Sequence, residues 1–299
     1  MSPLALSTAL FLTWICAALV IWRSRSVVRG TTLVTVFPWC LLATFMWCTH
    51  AATALIETWR DAAWRDHVLY SATVVSLCPP IAVLGARRPT CRVWPMFVLL
   101  PLVVVLTWPV VSIVAATGWN RPLELETPHV AMFAIVVVMG LGNYAGTRLM
   151  GAAALAAAGL LLIPVSHSRL VEWSDSFREL ANDCASLGLA VAVIHACRVL
   201  SRTEQTDDRF DRVWLEFTTL FGLVWSRRLL DRIQLQAERQ AWNCRLTPTG
   251  FAWPTPRDQQ TETRIDHALR WFLRRFVDVE WLDQRLGTES TAATNTHIN

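Results

Sequence analysis

Residues 94–116 read WPMFVLLPLVVVLTWPVVSIVAA, an unbroken stretch without one ionisable side chain. A helix rises about 1.5 Å per residue and the hydrocarbon core of a bilayer is about 30 Å thick, so roughly 20 apolar residues cross it. This stretch is long enough to cross, and it decides the class of the chain. Working outward, runs at Leu4–Trp22, Leu33–Leu55, His67–Ala86, Pro128–Ala145, Leu149–Val165 and Ala181–Leu200 approach the same length. With Trp94–Ala116 they make seven candidate transmembrane helices. The first run follows no positive segment and precedes arginines, so it reads as a retained helix rather than a secretory signal.

Composition agrees. The 299 residues are 54% hydrophobic and 17% charged, against about 25% charged in a typical soluble domain, and mean hydropathy is +0.37. Of the 23 acids only 9 precede Arg198, whereas the arginines divide 12 before it and 15 from it onward. An apolar bundle is therefore joined to a tail of ordinary soluble composition. No lysine occurs, which removes retinal and pyridoxal Schiff bases and a P-loop lysine from consideration.

The fifth and sixth runs are separated only by Asn143–Arg148, which reads as a tight helical hairpin, with Gly142 and Gly146 placed for close backbone approach. The sixth run, rich in Gly and Ala from Gly151 to Gly159, is expected inside the bundle. Pro38, Pro79–Pro80, Pro101 and Pro109 are expected to kink their helices. Cytoplasmic loops are enriched in Arg. Loops one, three and five carry Arg23, Arg25, Arg29, Arg87, Arg88, Arg92 and Arg148 without acids, whereas Arg169 and Arg178 of the sixth loop stand among acids. The expected orientation in the cell membrane has the amino terminus outside and the carboxyl terminus in the cytoplasm.

From about residue 201 the pattern changes. Phe210, Val213, Trp214, Phe217, Leu220, Phe221, Val224, Leu230 and Ile233 form a helical stripe that Gly222 is placed to bend. Residues 243–256 read as a loop or short hairpin. A second amphipathic helix is expected over Thr261–Leu286, capped by Gly287, with residues 288–299 disordered. The fold class is thus all-α. Residues 1–200 form a polytopic membrane helix bundle, residues 201–287 a small cytoplasmic helical domain, and 288–299 a tail.

No Asp, Glu or Arg sits mid-span; Glu57 and Asp183 fall near span ends. Intramembrane charges are costly and mark ion and proton pathways, so a proton-coupled carrier is disfavoured. The eight cysteines lack CxxC spacing and read as small buried hydrophobes, with a Cys48–Cys184 disulfide conceivable. Cys78–Pro79–Pro80 resembles the cysteine–proline pairs of copper-transporting helices, but without their phosphorylating domain it reads as a kink. Most tryptophans before residue 120 suit an interfacial belt or packing within the bundle; those in the tail suit an aromatic core or a headgroup anchor. The tail's 15 Arg against 14 acids does not suit nucleic-acid binding.

The candidate site is a set of histidines. His50, His67, His129 and His167 come from the ends of four helices on the expected outer side. Imidazole ligates haem iron, copper and zinc. In outline this is similar to haem-handling membrane proteins of the cytochrome c maturation type, which use external histidines around a tryptophan-rich loop; Gly118–Trp119–Asn120 and Glu172–Trp173–Ser174–Asp175 are sparser in tryptophan. That resemblance would imply a haem- or copper-binding redox protein. The residues by themselves point first to a non-enzymatic scaffold, assembly factor or complex subunit without a cofactor, its partners being the bilayer and other membrane subunits. A membrane sensor is the third reading.

Overall fold

The computed structural model describes residues 3–56, 59, 62–86, 94–202, 206–253 and 258–287. Glu57, Arg87, Arg88, Arg92 and the 288–299 segment lie outside the described residues. The chain is a mostly helical membrane protein: among the described residues six helical stretches are long and apolar enough to cross a bilayer, and a seventh apolar helix is shorter. Two compact units emerge.

The first unit holds α1 (Pro3–Arg23), α2 (Phe37–Thr53), α3 (Trp64–Val75), α4 (Cys78–Leu84), α5 (Trp94–Thr117), α6 (Thr127–Leu141), α7 (Met150–Ser166) and α8 (Asp175–Leu200). Lipid provides no hydrogen bonds, so hydroxyls inside spans bond back to their own helix: Thr8, Thr13, Thr44 and Thr49 each donate to the carbonyl four residues earlier. Trp14 and Trp47 are interhelical ties rather than belt residues. Their rings stack at 5.1 Å, and their indole N–H groups donate to Ser186 Oγ and Ser76 Oγ, each at 2.9 Å. Trp22, Trp59, Trp108 and Trp119 are exposed, as a belt requires.

The prolines act in two ways. Pro38 and the Pro79–Pro80 pair stand in the first turn of α2 and α4, where no N–H is needed, so the third span is two helices in sequence. Pro101 and Pro109 lie inside α5. The close-approach glycines are not the expected ones. Gly146 takes a left-handed φ of +71° in the turn before α7 with open space around it, and Gly142 faces only its own helix. Close crossings fall instead at Gly140, where a Cβ would stand 3.2 Å from Pro80, and at Gly159, where it would stand 2.9 Å from Leu189. Gly159 thus sets α7 directly against α8. Cys48 and Cys184 are both free thiols, so no disulfide joins them.

The second unit holds α9 (Arg209–Arg239), an antiparallel hairpin of β1 (Arg245–Thr247) and β2 (Gly250–Ala252), α10 (Gln259–Leu273) and α11 (Val279–Leu286). Gly222, at φ 75° and ψ −175°, breaks α9. The break resets which face is buried: Phe210, Val213, Trp214, Phe217 and Phe221 are buried before it and Trp225, Leu229, Leu230 and Ile233 after it, while Val224 turns outward. Phe276 closes the core, its ring 5.3 Å from both Phe217 and Phe221 and 5.1 Å from Trp225. The expected single helix over 261–286 is two helices. Asp278 starts α11 by accepting a hydrogen bond from the Trp281 N–H at 2.8 Å, an N-cap that ends any continuation of α10.

This unit also takes in Gly30–Thr32, from the loop that follows α1. Thr32 N–H donates to the Phe276 carbonyl and Asp278 N–H donates to the Gly30 carbonyl, both at 2.8 Å, with Thr31 opposite Val277 in antiparallel register. A piece of the first loop is therefore joined to the tail domain by a one-residue antiparallel β-bridge.

Candidate functional site

Two of the four sequence-predicted histidines meet at one end of the bundle, where α2 finishes and α3 begins. His50 occupies the last turn of α2 and His167 caps the C-terminus of α7. Both are buried, and the His167 side chain is fully so. His50 lies within electrostatic reach of Arg65, Asp66 and His167, and its ring is hydrogen-bonded to the Arg65 main chain.

Asp66 is the hub. Its Oδ1 stands 3.4 Å from His167 Nε2, an ion-pair distance rather than a close hydrogen bond. On the other side of the ring, His167 Nδ1 lies 3.0 Å from the Ile163 carbonyl, so the imidazole is held between a main-chain acceptor and the carboxylate. The neighbouring Ser166 hydroxyl reaches Asn182 Oδ1 of α8 at 2.9 Å. Arg65 Nε donates to Thr53 Oγ1 at 3.2 Å, and Thr53 in turn donates to the His50 carbonyl at 2.7 Å. The result ties the ends of α2, α3, α7 and α8 through buried polar contacts.

The loop before α6 fixes His167 from above. Leu125 N–H donates to the His167 carbonyl at 2.8 Å, and Leu125 pairs in parallel register with Ser168. Alongside, Arg169 donates to Glu124 Oε2 through Nε at 3.1 Å and Nη2 at 2.5 Å. That guanidinium holds the exposed Glu124 carboxyl below the usual carboxylate range.

The other two histidines have different surroundings. Consecutive helix residues point about 100° apart, so Asp66 and His67 address different neighbours. His67 Nε2 lies 3.0 Å from the Arg121 carbonyl, and its ring meets Trp119 edge-on at 5.8 Å. His129 lies in the first turn of α6, and its buried Nδ1 has no hydrogen-bond partner. Among the described residues no three His, Cys, Asp or Glu side chains are grouped to hold a metal ion. Arg65 beside His50 adds a fixed positive charge that repels a cation. The chemistry available at this end is a buried histidine beside a half-buried carboxylate, with arginine next to it, a polar network that ties helix ends together.

Sequence reasoning found two members, His50 and His167, and missed Arg65, Asp66, Ser166 and Asn182. The available signal was the charged triplet Arg65–Asp66–His67 opening an otherwise apolar run. Charge that close to a span has to be matched within the fold. No family model, no curated protein and no solved structure matches the chain.

Proposed function

We propose that the chain is a non-enzymatic membrane component, a scaffold, assembly factor or complex subunit, that crosses the cell membrane seven times and holds a helical domain on the cytoplasmic side. The observation that carries this reading is the β-bridge of Thr31 to Val277, flanked by the Thr32–Phe276 and Asp278–Gly30 main-chain hydrogen bonds. Loop one and the tail then share one side of the membrane, which requires an even number of crossings between them. Five long apolar stretches intervene, at Thr32–Thr53, Trp64–Leu84, Met96–Thr117, Thr127–Tyr144 and Asp175–Leu200. The short α7 supplies the sixth. Its 17 residues extend about 25 Å, close to a bilayer core. Arg23, Arg25 and Arg29 put that shared side in the cytoplasm and the amino terminus outside.

The polar side chains at the helix ends support a structural role, because His167, Asp66, Ser166, Asn182, Arg65 and Thr53 are spent on one another. The tail, with its own aromatic core, is the part offered to other subunits.

Two measurements test the reading. Reporters inserted in the 145–148 turn and in the 169–172 loop should report opposite sides of the membrane; the same side for both would remove α7 as a crossing. Extracted in mild detergent, the chain should migrate well above its own 33.7 kDa, and Phe217→Asp, which puts a charge into the tail core, should return it to that mass. A lone chain carrying a Soret band would overturn the scaffold reading in favour of haem.

A further inference from the structure

A groove of about 380 Å³ opens in the tail domain between the second half of α9 and the end of α10. Its floor is Trp225, Leu229, Phe272 and Phe276, and its rim carries Arg228, Arg232 and Arg275 with Asp231. The one carboxylate is already taken: Asp231 pairs with Arg227 at 3.3 Å. Among the described residues none of the three rim arginines is ion-paired. Arg228 lies over Trp225 at 5.1 Å and Arg275 over Trp271 at 5.3 Å, contacts that orient a guanidinium without neutralising it.

Two other arginines of the domain are tightly matched by carboxylates. Arg270 is held by Asp266 at 2.7 Å and by Asp283, and Arg285 is held by Glu216. The whole tail is close to neutral, yet one groove concentrates unmatched positive charge over an aromatic floor. Guanidiniums crowded together repel unless an anion joins them, and the planar fork of arginine suits phosphate oxygens. At the rim, Trp271 lies beneath Arg275 and is exposed, and Leu223 and Val224, just before the floor residue Trp225 in the chain, are exposed large apolar side chains as well. Basic residues interleaved with exposed aliphatic and indole groups are the pattern of a surface that meets anionic headgroups.

We propose that this groove binds the phosphate headgroup of an anionic phospholipid, with the exposed apolar residues at its mouth meeting the acyl boundary. The lipid is favoured over a soluble phosphate ester for two reasons. A soluble ester has no use for the apolar rim. The domain is also covalently continuous with α8, which ends at Leu200 only a few residues before α9 starts at Arg209, so lipid is at high local concentration.

The test uses the full chain in neutral detergent, titrated with short-chain phosphatidylglycerol while amide exchange is followed over 225–232 and 271–276. Protection of both segments is expected. Each arginine near an anionic surface contributes on the order of 1 kcal/mol, so Arg232→Gln with Arg275→Gln should weaken binding roughly thirtyfold. Both side chains are exposed, so the fold survives the change. Arg239→Gln, on the same helix but outside the groove, should leave binding unchanged. Equal protection by phosphatidylcholine, equal affinity for glycerol phosphate alone, or an equal loss in Arg239→Gln would each overturn the proposal, as would no protection at all.

Discussion

The β-bridge contributed by loop one rests on a glycine that has no room for a side chain. Gly30 sits at φ +73°, and a Cβ there would lie 2.8 Å from Asp278 Oδ1 and 2.9 Å from Oδ2. Gly30→Ala therefore acts twice. A left-handed alanine costs roughly 1 kcal/mol. The methyl also evicts a carboxylate that is not free to move, since it accepts the Trp281 N–H at 2.8 Å and caps α11; loss of an N-cap costs about 1 kcal/mol. The sum is about 2 kcal/mol, with an upper range near 3. Amide exchange in the full chain reads it directly: protection of the first turn of α11 should fall about thirtyfold, at 1.4 kcal/mol per decade. Combining Gly30→Ala with Asp278→Ser separates the two parts. Serine keeps a capping oxygen and withdraws the longer side chain, so the pair should recover the cap and retain only the backbone cost. If Gly30→Ala alters exchange by less than threefold, or if the double variant is worse than either change alone, the pairing of loop one with the tail is not as described.

Three other outcomes are expected. Gly159→Val should push α7 off α8, because even a Cβ stands 3.0 Å from the Ala185 carbonyl; the bundle should lose about 1–3 kcal/mol, read by thermal unfolding in detergent, while Gly146→Ala should leave the α7–α8 contact intact. Phe217→Ala removes a fully buried ring that stacks on Phe221 at 4.7 Å; a cost of about 3–5 kcal/mol should make the tail protease-sensitive, and an unchanged digestion pattern would refute the aromatic core. Burial, aided by Asp258, raises the Cys244 thiol from 9.0 to about 11. The folded state therefore keeps a proton that the unfolded chain releases. This contribution is complete below about pH 9 and is eroded as pH rises toward 11, so tail stability should fall across that window and Cys244→Ala should flatten the fall.

The apolar helices were legible because hydropathy over 20 residues is a local property, and six of them are long enough to cross a bilayer. The tail stripe was legible up to Gly222 and misassigned at Val224, since periodicity continues on paper through a break that resets its phase. The boundary between α10 and α11 was invisible for the opposite reason. Phe272, Phe276 and Leu282 keep helical spacing across the gap, and only the capping role of Asp278 reveals the stop. At the site, residue type picked out His50 and His167, but which imidazole meets which partner depends on helix rotation. His67 faces the Arg121 carbonyl and Asp66 faces His167 although they are adjacent in sequence. Close-approach glycines failed likewise: Gly142 and Gly146 follow the small-residue rule as well as Gly140 and Gly159 do, and only the crossing points distinguish them.

Main-chain pairing between Thr32 and Phe276 also imposes an order on biogenesis. The ribosome emits Gly30–Thr32 first and the matching edge near Val277 last, and at roughly 5–20 residues per second the first piece waits on the order of ten seconds or more for its mate. Every intervening helix must be threaded by then, because an odd number of insertions would leave the two edges in different compartments. Completion of the tail domain is, on the proposed seven-span topology, a parity check on membrane insertion. A mis-threaded chain would leave the main-chain groups of Phe276 and Asp278 without their loop-one partners.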